Sequence, residues 1–143
     1  MSYIITEFIF VHKRVYYIYL ILLLSLFTVA CSSEKAIRKG DKYAAIMEYN
    51  EAAKQYKKAY RKIPPKEKKK RAEVAWKLGE CYRKGNSAVF AVGAYQNAVR
   101  YGYPDSMALL YLAGAQLEKG DYKASEKSYR AFLEKAPDSR MAQ

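Results

Sequence analysis

The sequence predicts an all-α fold in which about three helical hairpins stack as a short solenoid behind an N-terminal apolar helix. Two features of the 143 residues lead to this prediction. Residues 15–33 form a run of nineteen residues without a charged side chain. After this run, a helical pattern of small and aromatic residues occurs three times, and a proline follows each copy. A chain of this length makes one small domain.

The first element has the layout of a secretory signal helix. Lys13 and Arg14 precede the apolar stretch, and the small residues T-V-A-C-S-S at 28–33 follow it. A positive flank, an apolar core and small residues are typical of such signals. The segment 28–33 resembles the lipobox of bacterial lipoproteins, whose cysteine is acylated before the leader is removed. This resemblance implies that residues 1–30 are a lipoprotein signal peptide and that Cys31 carries the lipid.

Two alternatives remain open for this region. Nineteen uncharged residues come close to the roughly 20 that a helix needs to span a bilayer, so the leader could stay as an uncleaved anchor. The even number of cysteines also allows a disulfide between Cys31 and Cys81 in an oxidising compartment. Cys81 lies among apolar positions of a helical pattern, however, where a cysteine is most often a small buried side chain. The cleaved lipoprotein leader and the uncleaved anchor both place the rest of the chain outside the cytoplasm.

The repeated pattern consists of three side chains at positions i, i+4 and i+7, which lie on one face of a helix. A proline, which cannot continue a helix, follows each copy. The copies are Ala52-Tyr56-Ala59 before Pro64, Ala91-Tyr95-Ala98 before Pro104, and Ser125-Tyr129-Phe132 before Pro137.

The second and third copies are 34 residues apart, and this spacing resembles that of the tetratricopeptide repeat, a helix–turn–helix hairpin that stacks into a superhelix. The resemblance implies a repeat domain over residues 31–139 with units at about 33–65, 72–105 and 106–139. In the middle unit, Gly79 and Ala91 are small where the two helices approach each other. The first helix of the first unit is expected between Glu34 and Met47. Residues 140–143 are expected to begin a further helix.

Enzymatic chemistry lacks its usual residues in this chain. The single histidine, His12, lies in the leader, and none of the common nucleophile, zinc or nucleotide-binding motifs occurs. The sequence therefore predicts no catalytic site, no metal site and no cofactor. Tetratricopeptide arrays instead bind peptides or partner domains on the concave face formed by their first helices.

The resemblance assigns concave positions in the second and third units to expected partner-binding residues. These are Glu73, Trp76, Glu80, Arg83 and Lys84, continued by Met107, Leu110 and Leu117. Trp76 is the single tryptophan of the chain, and two interpretations of it remain open. Its ring either contacts a partner in the groove or packs against the first helix of the neighbouring unit.

Positive charge is concentrated in the first part of the repeat domain. Residues 31–71 contain fourteen bases and five acids, whereas residues 72–143 contain ten bases and eight acids. This basic end could contact anionic lipid or glycan, or it could be a solvated surface. The residues expected to make an anionic contact are Lys66, Lys68, Lys69, Lys70 and Arg71. An export signal argues against nucleic acid as the partner.

The outer face of the middle unit carries an apolar pair, Val89 and Phe90. Second helices of such hairpins normally have polar outer faces. The pair therefore predicts a surface covered by another protein or by a second copy of this chain, although single exposed apolar side chains are also common and harmless.

The segments 79–86, 94–98 and 101–105 look like the repeat region at the N-terminus of outer-membrane lipoproteins of Bacteroidetes. Those proteins continue into a β-propeller and an OmpA-like peptidoglycan-binding domain, and some serve the type IX secretion machinery. The resemblance implies a protein-binding scaffold that is anchored in the outer membrane, faces the periplasm and holds other envelope proteins. The alternative is an envelope module that binds anionic lipid or glycan through its basic first repeat.

Overall fold

The computed structural model describes residues 2–137, with side chains described for 13–20 and 32–137. The described residues form six helices and no strand. In chain order these are α1 (Ser2–Ala45), α2 (Tyr49–Lys62), α3 (Lys68–Lys84), α4 (Ala88–Arg100), α5 (Met107–Glu118) and α6 (Tyr122–Lys135). The all-α prediction is confirmed.

Each helix packs against the helix that follows it in the chain, so the helices form three successive hairpins, α1–α2, α3–α4 and α5–α6. Only the part of α1 from Ser32 onward carries described side chains that pack on α2, and this part is the first helix of the first unit. The predicted stack of three hairpins is therefore confirmed. The expected helix at 140–143 lies outside the described residues.

The three hairpins turn in the same way. At the turns, Met47, Asn86 and Gly120 have φ angles of 61°, 54° and 85°. The amide three residues after the end of each first helix donates back across the turn, from Glu48 to the Tyr43 carbonyl in the first unit. This is the pattern that commonly ends helices at a left-handed residue. The first unit, which lacks the glycine or asparagine of the other two turns, makes the same turn with a methionine.

Small residues bring the paired helices close together. Ala52, Ala59, Ala91 and Ala98 are fully buried, and Phe132 occupies the corresponding place in the third unit. A Cβ atom added to Gly79 would lie 2.6 Å from the Tyr95 ring. The tyrosine rings therefore occupy space that a side chain on the facing helix would otherwise fill.

Buried Ser125 replaces the usual alanine in the third unit without leaving its hydroxyl unpaired. Its Oγ donates a 2.8 Å hydrogen bond to the Ala113 carbonyl, and the buried Ser128 hydroxyl lies 2.7 Å from Oε1 of Gln116. At Ser125 the third hairpin therefore has an interhelical hydrogen bond at the place where the other two have a buried alanine.

Candidate functional site

The first helices of the three units form one continuous surface, here called the first-helix face, made by α1 from Ser32 onward, α3 and α5. Side chains connect its neighbouring helices. Lys77 on α3 forms a 2.6 Å ion pair with Asp41 on α1. On the other side of α3, the guanidinium of Arg83 lies 4.6 Å from the ring centre of Tyr111 on α5. The resemblance to the tetratricopeptide repeat predicts partner binding on the face made by these first helices.

Trp76 lies at the centre of an aromatic cluster on this face. Its ring stacks on Tyr103 at a centroid distance of 4.8 Å and on Tyr111 at 5.6 Å, and it is tilted against Tyr95 at 5.5 Å. The ring is half-buried. Trp76 therefore packs against the first helix of the next unit, as one of the two interpretations expected. Part of its ring stays accessible on the first-helix face.

Tyr103 and Tyr111 were not among the residues that the sequence predicted for this site. Tyr103 lies in the loop before α5, where no helical periodicity assigns it to a face. Tyr111 occupies the position in the third unit that Lys77 occupies in the second, 34 residues earlier. The repeat register could have placed Tyr111 on the first-helix face, because Lys77 lies there.

Glu80 connects this aromatic cluster to the charged part of the face. Its carboxylate accepts hydrogen bonds from Arg83 Nε and Nη2 at 3.1 and 2.9 Å, and from the Tyr95 hydroxyl at 2.6 Å. Burial acts to raise the pKa of Glu80, but the hydrogen bonds from Arg83 and Tyr95 outweigh it, and the pKa lies below its ordinary value. Glu80 therefore stays ionised and fixes the position of Arg83.

The first unit repeats part of this arrangement. Asp41 accepts hydrogen bonds from the Tyr56 hydroxyl at 2.7 Å and from Lys77 at 2.6 Å. Burial opposes ionisation of Asp41 too, yet these two hydrogen bonds lower its pKa below the ordinary value. Both acids are thus partners of residues inside the protein, which limits their availability to a ligand.

The remaining predicted residues of the face have more accessible side chains. Glu73 and Lys84 are exposed, and the Lys84 ammonium lies 5.4 Å from the centre of the Tyr49 ring. In the third unit, the positions that correspond to Glu73, Trp76 and Arg83 are apolar, with Met107 and Leu110 half-buried and Leu117 exposed, whereas Glu118 corresponds to Lys84. The face therefore carries more charged side chains on α3 and more apolar ones on α5.

An open groove of about 880 Å³ lies where α1 meets the start of α3. Four of the residues predicted for anionic contact, Lys66, Lys68, Lys69 and Lys70, line this groove, and so do four acidic residues. Lys70 forms a 2.7 Å ion pair with Glu34. Much of the positive charge in the groove is therefore matched by nearby carboxylates.

Arg71 is placed differently from the four lysines with which the sequence grouped it. Its Nη1 atom donates to the Ile63 carbonyl at 2.6 Å, and its guanidinium lies 4.1 Å from the Tyr60 ring centre and 4.9 Å from that of Tyr101. Its Nε is buried without a hydrogen-bond partner. Arg71 therefore points into the junction of the first two hairpins instead of toward an external anion.

The outer face of the middle unit carries Val89 and Phe90 as expected, each 62% exposed. No atom beyond the helix backbone and the adjoining residues lies within 4 Å of a Cβ built on Gly93, further along the same helix. The Phe90 ring touches Tyr82 at a centroid distance of 5.4 Å. A partner or second copy covering this patch stays a prediction.

The two cysteines differ in what the structure describes. Cys81 is a buried free thiol, and burial raises its pKa to about 11, as expected for a small core residue. Cys31 falls within α1, but its side chain lies outside the described residues, so its lipidation stays a prediction. Within residues 13–20 and 32–137, whose side chains are described, no helical segment is long and apolar enough to cross a bilayer. The described residues hold no cluster of three or more potential metal ligands.

Comparison with known proteins identifies the repeat. The tetratricopeptide repeat family model matches residues 107–139, which cover the third hairpin. The crystal structure of the tetratricopeptide domain of Arabidopsis FLU is similar to this chain with a TM-score of 0.66 and 14% sequence identity, covering 78% of this chain and 99% of that one. No curated protein matches the sequence. The fold is therefore of the tetratricopeptide type.

Proposed function

We propose that this chain is an exported, lipid-anchored scaffold that holds other proteins of the bacterial envelope on its first-helix face. The fold suggests a protein–protein interaction scaffold. The single observation that carries the proposal is the face formed by α1, α3 and α5, on which Glu73, Lys84 and Leu117 are exposed and the Trp76 ring is half-buried. Tryptophan, tyrosine and arginine are the residues most enriched at binding hot spots.

The partner's chemistry follows from the change in character across this face. The apolar positions Leu110 and Leu117 favour apolar side chains of the partner, whereas Lys84 and Arg83 favour carboxylates. Arg83 is held by Glu80, so it is positioned before any partner binds. We therefore expect the partner to offer a segment with apolar and acidic side chains.

Export and lipid attachment rest on the leader. Lys13 and Arg14, the uncharged run at 15–33 and the small residues before Cys31 support a lipoprotein signal. The proposed location is the outer membrane on the periplasmic side, within a secretion or peptidoglycan-linked complex. Substituting Cys31→Ser should abolish lipid labelling and processing in a bacterial host. Unchanged labelling of the Cys31→Ser chain would refute the lipid anchor.

Site-specific photocrosslinking tests the scaffold function. A photoreactive amino acid is placed at Glu73 or Lys84 on the first-helix face, or at the exposed Gln96 of α4 as the matched control. We expect the two face positions to capture the same envelope protein and the Gln96 position not to capture it. Capture that also survives Leu117→Asp, or that is equal at all three positions, would argue against this face.

A salt series distinguishes this proposal from the alternative of a charge-driven envelope contact. A groove contact with apolar anchors should change little as the ionic strength rises to the physiological value, whereas a contact made only by lysines should weaken steeply. The crosslinking yield at Lys84, measured over the same salt series, provides this comparison.

A further inference from the structure

The outward face of α2 is lined by positive side chains alone. Lys54, Lys57, Lys58 and Arg61 lie on one side of the helix with spacings of three and four residues, and all four are exposed. Lys62 adjoins them, and the five side chains line an open depression of about 690 Å³. We call this surface the α2 cationic face.

This face has few negative partners. Of its cations, only Lys54 forms an ion pair among the described residues, with Glu51 at 2.5 Å, and that pair is exposed. The groove beside Lys66–Lys70 has more cations but also contains four carboxylates. The α2 cationic face therefore carries positive charge that nearby carboxylates leave largely uncompensated.

The face lies next to the end of the apolar leader. Because α2 runs antiparallel to α1, its C-terminal end returns to the start of the first hairpin, where Lys62 Nζ donates a hydrogen bond to Ser32 Oγ. Ser32 is at the end of the uncharged run. A helix rises about 1.5 Å per residue, so Lys54 lies about 12 Å along the axis from Lys62. The cations thus extend over little more than one Debye length from this point.

We propose that the α2 cationic face binds the anionic headgroups of the membrane to which the lipid on Cys31 anchors the chain. This inference rests on the proposed membrane attachment and adds a second contact to it. Positive side chains beside a membrane anchor are attracted to an anionic surface, and long lysine and arginine stems let several charges reach it together. A protein partner fits this face less well, because the cores of protein interfaces are depleted in charged residues and every residue that lines the depression is a lysine or an arginine.

Lysine footprinting of the full-length chain tests the proposal. The chain is placed in nanodiscs of phosphatidylcholine alone or of phosphatidylcholine with phosphatidylglycerol, and the exposed lysines are acetylated and mapped by mass spectrometry. We expect acetylation of Lys54, Lys57 and Lys58 to fall roughly fivefold in the anionic discs. Lys123 and Lys127, exposed on α6, should react equally in both. High salt should restore the reactivity on α2.

Two triple variants with equal loss of charge sharpen the test. Lys57→Gln, Lys58→Gln and Arg61→Gln together should leave Lys54 equally reactive in neutral and anionic discs. The control, Lys119→Gln with Lys123→Gln and Lys127→Gln, should leave Lys54 protected. All six positions are exposed, so neither variant disturbs the core.

The outcomes separate this inference from the proposal on which it rests. A chain that enters neutral discs but shows equal acetylation of α2 in both lipids overturns the lipid contact alone. A chain that enters neither disc refutes the membrane attachment and the lipid contact together. Protection by a soluble anionic polysaccharide but not by anionic discs would also overturn the assignment to lipid.

Discussion

The Tyr95 hydroxyl donates a 2.6 Å hydrogen bond to the Glu80 carboxylate, and this bond joins the two helices of the middle hairpin. Glu80 directly follows Gly79, against which the Tyr95 ring packs. Close packing of the ring therefore also brings its hydroxyl to the acid. The same sequence feature, a glycine followed by an acid, occurs at Gly40 and Asp41 in the first hairpin.

Loss of this hydroxyl should destabilise the middle hairpin. We expect Tyr95→Phe to lower the free energy of unfolding by about 1 kcal/mol, since the ring still packs but Glu80 loses a donor. The matched control is Tyr129→Phe in the third hairpin, where Gly114 stands at the position of the acid and the effect should be smaller. Urea unfolding followed by circular dichroism measures both. Equal effects would show that the Glu80 bond contributes nothing specific.

Two glycines in helices predict opposite results for the same substitution. Gly79→Ala should destabilise the protein by roughly 1–3 kcal/mol, because the new Cβ would meet the Tyr95 ring at 2.6 Å. Gly93→Ala should stabilise it by about 0.5–1 kcal/mol, because Gly93 has open space around it and alanine favours a helix. Thermal unfolding of the two variants checks the signs. A neutral Gly79→Ala would contradict the close approach of α3 and α4.

The hairpins could be predicted from the sequence because the residue pattern that produces them is local and periodic. Small residues at Ala52, Ala91 and Ser125 recur in register, and a chain with this spacing buries one face of each helix. The turn of the first unit was less evident, because Met47 is not a residue that commonly adopts a positive φ. Tertiary packing of α1 on α2 outweighs that local preference.

The direction of long charged side chains could not be predicted in the same way. Arg71 and Lys70 are adjacent in the sequence, yet one enters the junction of two hairpins and the other forms an ion pair with Glu34. Their surroundings come from helices distant in the chain. The cations of α2 were counted in the regional charge, but only the structure shows that Lys57 and Lys58 share an outward face without acids.

Stability should fall in acid because of Asp41 and Glu80. Both carboxyls have a folded-state pKa below the ordinary value, so their contribution is complete above the unfolded pKa, near 4.5 for Glu80, and is lost as the pH falls through the folded pKa. When the unfolding midpoint is measured at successively lower pH, it should begin to decline once the pH falls below about 4.5. The double variant Asp41→Asn and Glu80→Gln should be less stable at neutral pH and should decline less. A parallel decline in both proteins would assign the acid sensitivity to other carboxyls.

The apolar pair on α4 predicts self-association. Phe90 is 62% exposed, and we expect Phe90→Glu to shift the full-length chain in detergent toward the monomer, because a charge there opposes burial of the patch. Gln96→Glu adds the same charge at another exposed position of α4 and should leave the association unchanged. Sedimentation velocity distinguishes the species. A clean monomer for the unsubstituted chain at high concentration would exclude a second copy as the cover of this patch.

Arg71 should matter for stability more than any lysine beside it. Its guanidinium donates to the Ile63 carbonyl and lies against the Tyr60 and Tyr101 rings, so Arg71→Gln should lower the free energy of unfolding by about 2 kcal/mol. The control Lys70→Gln removes an ion pair near the surface and should cost about 0.5 kcal/mol. Urea unfolding gives both values. If Arg71→Gln were as mild as Lys70→Gln, the guanidinium would not hold the first two hairpins together, and Arg71 would again be a candidate for the anionic contact that the sequence predicted.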